Sequence, residues 1–316
     1  MSAYKIEFAP VQGHTDFTYR RIHAQIFKGV DTYYTPFLRL PQRNKDIKDV
    51  SIANNDLSRV VPQIIGGDVQ EMTSLIHQVY ELGYRRVDIN FGCPFRMVTI
   101  KGRGSGAFND IEKMSLLLNF PSDMQVSLKL RLGYDDPKQI MELMPFINAI
   151  PLHSVAIHAR LGNQGYTGDV DMDAFEAVYL ACKHPLFYNG DVTTVDEALA
   201  LLDRFPNLAG LMIGRGLLAN PALADQIKDA LASREGLPTE RVWSEQAQLD
   251  LYRVFHTELF NAYCGYLEGG DHQIIQKMQT FWEYFLPDTD RKVLKLIKKC
   301  TKLDKYRTIC SSINLL

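Results

Sequence analysis

The sequence predicts an α/β fold: a (β/α)8 TIM barrel followed by a small C-terminal helical domain. Three observations carry this expectation. Short apolar runs rich in β-branched and aromatic residues alternate with helix-period segments. Most runs are nearly continuously hydrophobic, as strands covered on both faces are. The alternation stops near residue 232, and the remainder reads as helix alone.

Taken in order, the expected strands are Ile6 to Ala9, Thr32 to Thr35, Val60 to Ile65, Val87 to Asn90, Val126 to Arg131, Ser154 to His158, Leu186 to Asn189 and Gly210 to Ile213. Amphipathic stretches fall between them, among them Val69 to Leu82, Ile111 to Leu118, Pro137 to Ala149, Asp171 to Cys182 and Thr193 to Leu202. Asp68, Asp110, Asp136 and Thr193 suit helix N-caps, and Gly83 suits the left-handed position after a helix. Eight strands alternating with helices call for a parallel sheet, and eight is the number that closes a barrel. A doubly wound open sheet competes, but no GxGxxG follows the first strand. The polar stretch Ser233 to Thr239, with Gly236 and Pro238, reads as a linker. The expected division is residues 1–235 for the barrel and 240–316 for the helical domain.

Composition narrows the function. The net charge of −2 excludes a general polyanion binder, so any nucleic-acid surface must come from local clustering of Lys and Arg. Cys93, Cys182, Cys264, Cys300 and Cys310 show no zinc or CxxC spacing and read as reduced thiols. Lys5 and Glu7 interrupt the first apolar stretch, and no run of about 18 apolar residues occurs. The expectation is a cytoplasmic protein with no membrane partner.

Barrel active sites lie at the C-terminal ends of the strands. Standing there are Pro10, Val11 and Gln12, then Gln63, then Asn90 and Cys93. Lys129 and Arg131 alternate on one face of the fifth strand, His158 and Arg160 end the sixth, and Asn189, Gly190 and Asp191 end the seventh. Gly214 and Arg215 follow the eighth. The two glycine turns after strands seven and eight, with Arg215, suit a phosphate grip; the plainer reading is two ordinary turns. Lys129 needs a counter-anion if buried. Either a barrel carboxylate such as Asp88 supplies it, or a flavin does, since its N1–C2=O region becomes anionic on reduction. His158 suits a cofactor contact or a satisfied core histidine. Cys93 precedes the glycine-rich stretch Lys101 to Gly106, a candidate lid. A Cys–His hydrolase with His158 as base would leave Lys129 and the glycine turns unused.

These motifs resemble the tRNA-dihydrouridine synthase family over about residues 5 to 220. The resemblance is carried by Ala9-Pro10-Val11-Gln12-Gly13-His14-Thr15-Asp16, Gln63-Ile64-Ile65-Gly66, Asp88-Ile89-Asn90-Phe91-Gly92-Cys93-Pro94, Lys129-Leu130-Arg131-Leu132-Gly133, His158-Ala159-Arg160, Gln164-Gly165-Tyr166-Thr167-Gly168, Asn189-Gly190-Asp191 and Met212-Ile213-Gly214-Arg215-Gly216. The resemblance implies NADPH- and FMN-dependent reduction of the C5=C6 bond of a D-loop uridine in tRNA. It implies that Pro10, Val11, Gln12, Gln63, Lys129, His158, Asn189, Gly190, Asp191, Gly214 and Arg215 surround FMN. Cys93 is then the general acid, and Asn90, Arg131 and Arg160 lie toward the substrate. Val11 stands where the family usually has Met, and Arg103 and Phe108 depart from the usual loop.

Arg291, Lys295, Lys298, Lys302 and Lys305 recur at spacings of four, three, four and three, which places them on one helix face. Such a stripe suits a phosphate backbone or a plain solvated face; the family layout favours the former, with Lys295 and Lys298 on tRNA. Arg39, Arg43, Lys45 and Lys48 form a second, aperiodic cluster. A monomer is expected. The rival readings are an FMN barrel reducing a free pyrimidine and a tRNA-binding protein with weak catalysis.

Overall fold

The structure is a computed structural model that describes residues 4–118, 123–239, 241–313 and 315. Nine strands form one wholly parallel sheet: β1 (Lys5–Phe8), β2 (Thr32–Tyr34), β3 (Val60–Val61), β4 (Gln63–Ile64), β5 (Arg86–Phe91), β6 (Gln125–Arg131), β7 (Ser154–His158), β8 (Leu186–Asn189) and β9 (Gly210–Ile213). Their order is β3-β2-β1-β9-β8-β7-β6-β5-β4. The sheet's two ends, β3 and β4, are consecutive in the chain, so it curls into a barrel. The expected single strand from Val60 to Ile65 is thus two short strands split at Pro62. Proline has no N–H to give a ladder; its carbonyl still accepts from Asp88 N at 2.9 Å. Leu38, beyond β2, bridges to Ile64 and seals the gap.

Side chains alternate across each strand. On the inner face, Ala9, Tyr34, Val61, Ala156, Phe187 and Met212 form a small apolar cluster of their own. Inward positions of β5 and β6 are instead polar: Asp88 and Asn90, Ser127, Lys129 and Arg131 are all buried. A barrel stacked with ionisable groups at one end is costly unless they are paired or serve a ligand.

Helices α1 (Phe17–Ile26), α2 (Asn44–Val50), α3 (Val69–Glu81), α4 (Arg96–Thr99), α5 (Ile111–Leu117), α6 (Lys138–Ala149), α7 (Met172–Ala181), α8 (Val195–Arg204), α9 (Arg215–Ala219) and α10 (Leu223–Arg234) accompany the strands. Asp68 and Asp110 cap α3 and α5 by accepting from Glu71 N (2.8 Å) and Lys113 N (3.0 Å). Gly83 holds φ +96° after α3, a conformation that favours glycine. Two caps shift by one residue: Thr194, with Glu197 in a reciprocal box, caps α8, and Pro137 precedes α6.

The chain then runs through α11 (Glu245–Tyr266), α12 (Gly270–Phe281), α13 (Arg291–Lys299) and α14 (Leu303–Ser311). Phe255 of α11 meets the rings of Tyr19, His23 and Phe27 of the α1 region at 5.3, 5.8 and 5.5 Å. Asp16, at the start of α1, accepts from Tyr263 Oη (3.1 Å) and pairs with Lys277 Nζ (2.6 Å). The helical segment is therefore bonded to the turn that follows β1.

The basic stripe does not lie on one helix, as the spacing predicts. Cys300 is extended (φ −69°, ψ 139°) and ends α13. Gln279 Nε2 donates to the carbonyls of Ile297, Lys298 and Cys300 at 3.0, 3.1 and 3.0 Å, so a side chain from α12 takes the acceptors that a continuing helix would have used. Arg291, Lys295 and Lys298 stay on α13, Lys302 caps α14 and Lys305 lies within it; all five are exposed.

Candidate active site

One cavity at the C-terminal mouth of the barrel gathers most of the expected residues. Its walls include Pro10, Val11, Gln12, Gln63, Asn90, Cys93, Lys129, Arg131, His158, Asn189, Gly190, Gly214 and Arg215. It encloses about 970 Å³ with its open mouth, at the upper end of the range for small-molecule and cofactor sites. Strand register explains the convergence, because Asn90 pairs with Lys129, Arg131 with His158, and His158 with Asn189.

Lys129 Nζ donates to Asn189 Oδ1 at 2.7 Å, and Asn189 Nδ2 donates to the Met212 carbonyl at 2.7 Å. Among the described residues the Lys129 ammonium has no other hydrogen bond and no ion pair. Asp88 forms no ion pair with it; its two oxygens accept from Gln63 Nε2 (2.7 Å) and Ser127 Oγ (2.8 Å), and its charge acts on Lys129 only at longer range. An ammonium carries three donors, so two N–H bonds remain on a buried cation facing the cavity. Burial pushes Lys129 down to about 8, Arg131 adds to this and Asp88 opposes it. Burial pushes Asp88 up to about 7, against the hydrogen bonds from Gln63 and Ser127.

Behind Cys93 lies a chain of amides. Gln63 Oε1 accepts from Asn90 Nδ2 at 2.7 Å, and Asn90 Oδ1 accepts from the backbone N–H of Gly92 (3.0 Å) and Cys93 (2.8 Å). The Cys93 carbonyl accepts from Ser105 N and Oγ, both at 3.0 Å. Burial raises the thiol above its ordinary range, which keeps it protonated at neutral pH.

The second half of the glycine-rich stretch is packed against the Cys93 turn. Residues 104–108 are buried, and a Cβ on Gly104 (φ +55°) would sit 2.7 Å from the Cys93 carbonyl. Arg103 turns away from the cavity and pairs with Glu71 at 2.7 Å.

Cations crowd the other wall. Arg131 donates to the carbonyls of Gly92 and Leu161, both at 2.8 Å. Arg215 and Arg131 lie 4.9 and 5.5 Å from the Tyr166 ring centre. Burial, with Arg131 and Lys129 next, holds His158 well below its usual range and therefore neutral. Arg160 Nη1 lies 3.3 Å from His158 Nε2; since guanidinium only donates, the imidazole proton sits on Nδ1.

Two expected residues stand outside the wall. Arg160 is spent on the Gly168 carbonyl (2.8 Å) and on Asp191, and Asp191 also pairs with Arg215. Neither Arg160 nor Asp191 lines the cavity; they brace the side chains that do. Lys295 and Lys298 belong to α13 and line no part of it.

The sequence reading missed Phe37, Phe95, His14 and Tyr284, which also line the cavity. His14 lay inside a quoted motif without a role. Tyr284 reaches the rim from beyond α12, its ring 4.9 Å from that of His14, and nothing local in the sequence marks it.

Gln12 Oε1 is buried without a hydrogen-bond partner. With Lys129 it gives the cavity one orphaned acceptor and one under-used cation, the donor and acceptor set that suits a heteroaromatic anion. After β8 a Cβ on Gly190 would meet the Tyr188 side chain at 2.2 Å, and within α9 one on Gly216 would meet the Val192 carbonyl at 2.0 Å, so the chain passes closely at both points.

Residues 7–266 match the family described as dihydrouridine synthase. The chain is 30% identical over 211 residues to tRNA-dihydrouridine synthase B of Pseudomonas putida, a match spanning 66% of this chain and 61% of that protein, somewhat under two thirds of its length. It is 30% identical over 236 residues to tRNA-dihydrouridine synthase B of Pseudomonas syringae pv. tomato, covering 73% of this chain and 69% of the relative. Among solved structures, a morphinone reductase mutant in complex with tetrahydroNAD shares the barrel fold at TM-score 0.52 and 11% identity, over 72% of this chain and 87% of that one. On the extent of the family match, the chain belongs to the dihydrouridine synthase family, a family of oxidoreductases.

Proposed function

We propose that this chain reduces the C5=C6 bond of a D-loop uridine in tRNA, with FMN in the barrel cavity and NADPH as reductant. The observation that carries the reading is Lys129: a buried cation with two unused N–H bonds, facing the same cavity as a protonated Cys93. Pro10, Val11, Gln12, Gln63, His158, Asn189 and Gly190 would hold FMN with Lys129, while Gly214 and Arg215, braced by Asp191, would take its phosphate. When bound, FMN supplies the hydride chemistry.

The chain's own residues do the rest. Cys93 holds a proton at Sγ for the carbon next to the reduced one, and its raised pKa suits a donor rather than a nucleophile. The remaining N–H of the Asn90 amide and the charge of the Arg131 guanidinium would favour the electron density that a uracil carbonyl gains. A uridine stacked in RNA presents neither carbon, so it must swing out to enter the mouth. The exposed basic face of α13, with Lys295 and Lys298, would hold the phosphate backbone, making residues 240–316 the tRNA-binding part. The protein would act as a cytoplasmic monomer; among the described residues no helix is long and apolar enough to cross a membrane.

Nucleoside analysis of tRNA from a strain lacking the gene tests the reading. Dihydrouridine should vanish at one D-loop position, and an unchanged profile would reject it. Turnover of free uridine or uracil at the rate seen with tRNA would instead favour a pyrimidine reductase.

A further inference from the structure

The amide chain behind Cys93 has a direction, and its two ends set it. At one end the backbone N–H groups of Gly92 and Cys93 can only donate, so the Asn90 carbonyl must face them. The Asn90 amine then points to Gln63, whose carbonyl accepts it at 2.7 Å, and the Gln63 amine is left pointing at Asp88. Asp88 is fully buried and closes the chain with an oxygen that accepts at 2.7 Å. Without an acceptor there, the Gln63 amine is left buried and unpaired, and the Asn90 amine alone holds Gln63 in this orientation. A flipped Gln63 would face the Asn90 amine with its own, and a flipped Asn90 would aim an amine at two N–H donors. Each such clash leaves buried donors unpaired, desolvated with no bond in return.

We infer that Asp88 is the positioning residue that holds Asn90 and Cys93 in register through Gln63. It touches neither substrate nor cofactor. Ser127 Oγ, at 2.8 Å, anchors the other oxygen and keeps Asp88 from turning. The inference deepens the proposed function, since it rests on Cys93 as the proton donor.

Acceptor character at position 88, not charge or packing, is what the chain needs. Asp88→Asn keeps it: the new carbonyl takes the Gln63 amine, and the new amine faces Ser127 Oγ, whose proton turns to the Val87 carbonyl at 3.5 Å. Asp88→Leu removes it while filling the space. Both variants are assayed as holoenzyme on unmodified tRNA. Asp88→Leu is expected to lose roughly ten- to a hundredfold in kcat with KM for tRNA unchanged, as a misplaced acid does. Assayed at saturating FMN and below about pH 7, where loss of the Asp88 charge beside Lys129 matters least, Asp88→Asn should stay within about threefold of the parent.

Alkylation of Cys93 by iodoacetamide, read on its own peptide without tRNA, reports thiol placement whatever the substrate. Its rate should change several-fold in Asp88→Leu and stay near the parent value in Asp88→Asn. Equal losses in the two variants, or parental kcat and alkylation in Asp88→Leu, would overturn the inference. If the parent makes no dihydrouridine, the proposed function fails, and the alkylation rates alone decide the role of Asp88. If Asp88→Leu does not fold, Asp88→Asn still decides: a tenfold loss there contradicts the relay.

Discussion

The cavity mouth and the outer face of α13 both collect positive charge, but they hold it in opposite ways. In the cavity Lys129 and Arg131 are buried, and with Arg160 and Arg215 behind or beside them each has a fixed partner: Asn189, two carbonyls, Gly168 or Asp191. On α13, Arg291, Lys295 and Lys298 are exposed, and none forms an ion pair among the described residues. Desolvated, fixed charge gives a strong interaction at one geometry. Solvated, mobile charge gives weak attraction that salt screens and that tolerates many backbone shapes. The difference teaches that burial or exposure suits the same residue types to different work: under the proposed function, chemistry in one region and capture in the other.

The largest expected effect breaks the cavity side of that comparison. Cys93→Ala should lower dihydrouridine formation by roughly a hundredfold or more, while FMN stays bound and NADPH still reduces it. Product formation at the parental rate would remove Cys93 from the proton-donor role. Next, Lys129→Met should weaken FMN binding by on the order of ten- to a hundredfold, because a charge-assisted hydrogen bond is lost. Fluorescence titration of the apoprotein with FMN reads this directly.

The same lysine predicts a pH dependence. Its folded value of about 8 means that it loses its proton as pH rises through that point. FMN affinity should therefore be full below about pH 8 and fall above it, by at most about tenfold per pH unit, and Lys129→Met should flatten the curve. An unchanged slope in the variant would assign the titration to another group. The smallest effect belongs to α13. Lys295→Ala with Lys298→Ala should weaken tRNA binding modestly and reduce the steepness of log affinity against log salt by about 2, with kcat preserved. A salt slope equal to the parent's would place the backbone contact elsewhere on the molecule.

Much of the barrel was legible because its strands are buried on both faces and so read as apolar runs. The site was legible for a related reason: polar residues recur at the C-terminal end of run after run, where a plain core would not place them. Position in the chain could not reveal partners that come from far away. Pro62 divides one strand by withholding a single N–H. Gln279, eighteen residues before Ile297 in the chain, ends α13 and divides the basic stripe. Glu71 draws Arg103 away from the cavity, and Asp191 draws Arg160 out of its wall. Tyr284 joins the rim because contacts from Asp16, Phe255 and the Ala219 carbonyl, which accepts from Leu286 N at 3.2 Å, hold the helical segment to the barrel. Pro62 aside, each of these is a tertiary contact that overrides a local pattern.

The most direct measurement is incubation of the purified protein with FMN, NADPH and unmodified tRNA transcript, followed by mass analysis of the nucleosides. The account predicts that one uridine in the D-loop gains two hydrogens, with NADPH consumed in equal amount. A flavin-loaded protein that leaves every uridine unchanged would contradict it.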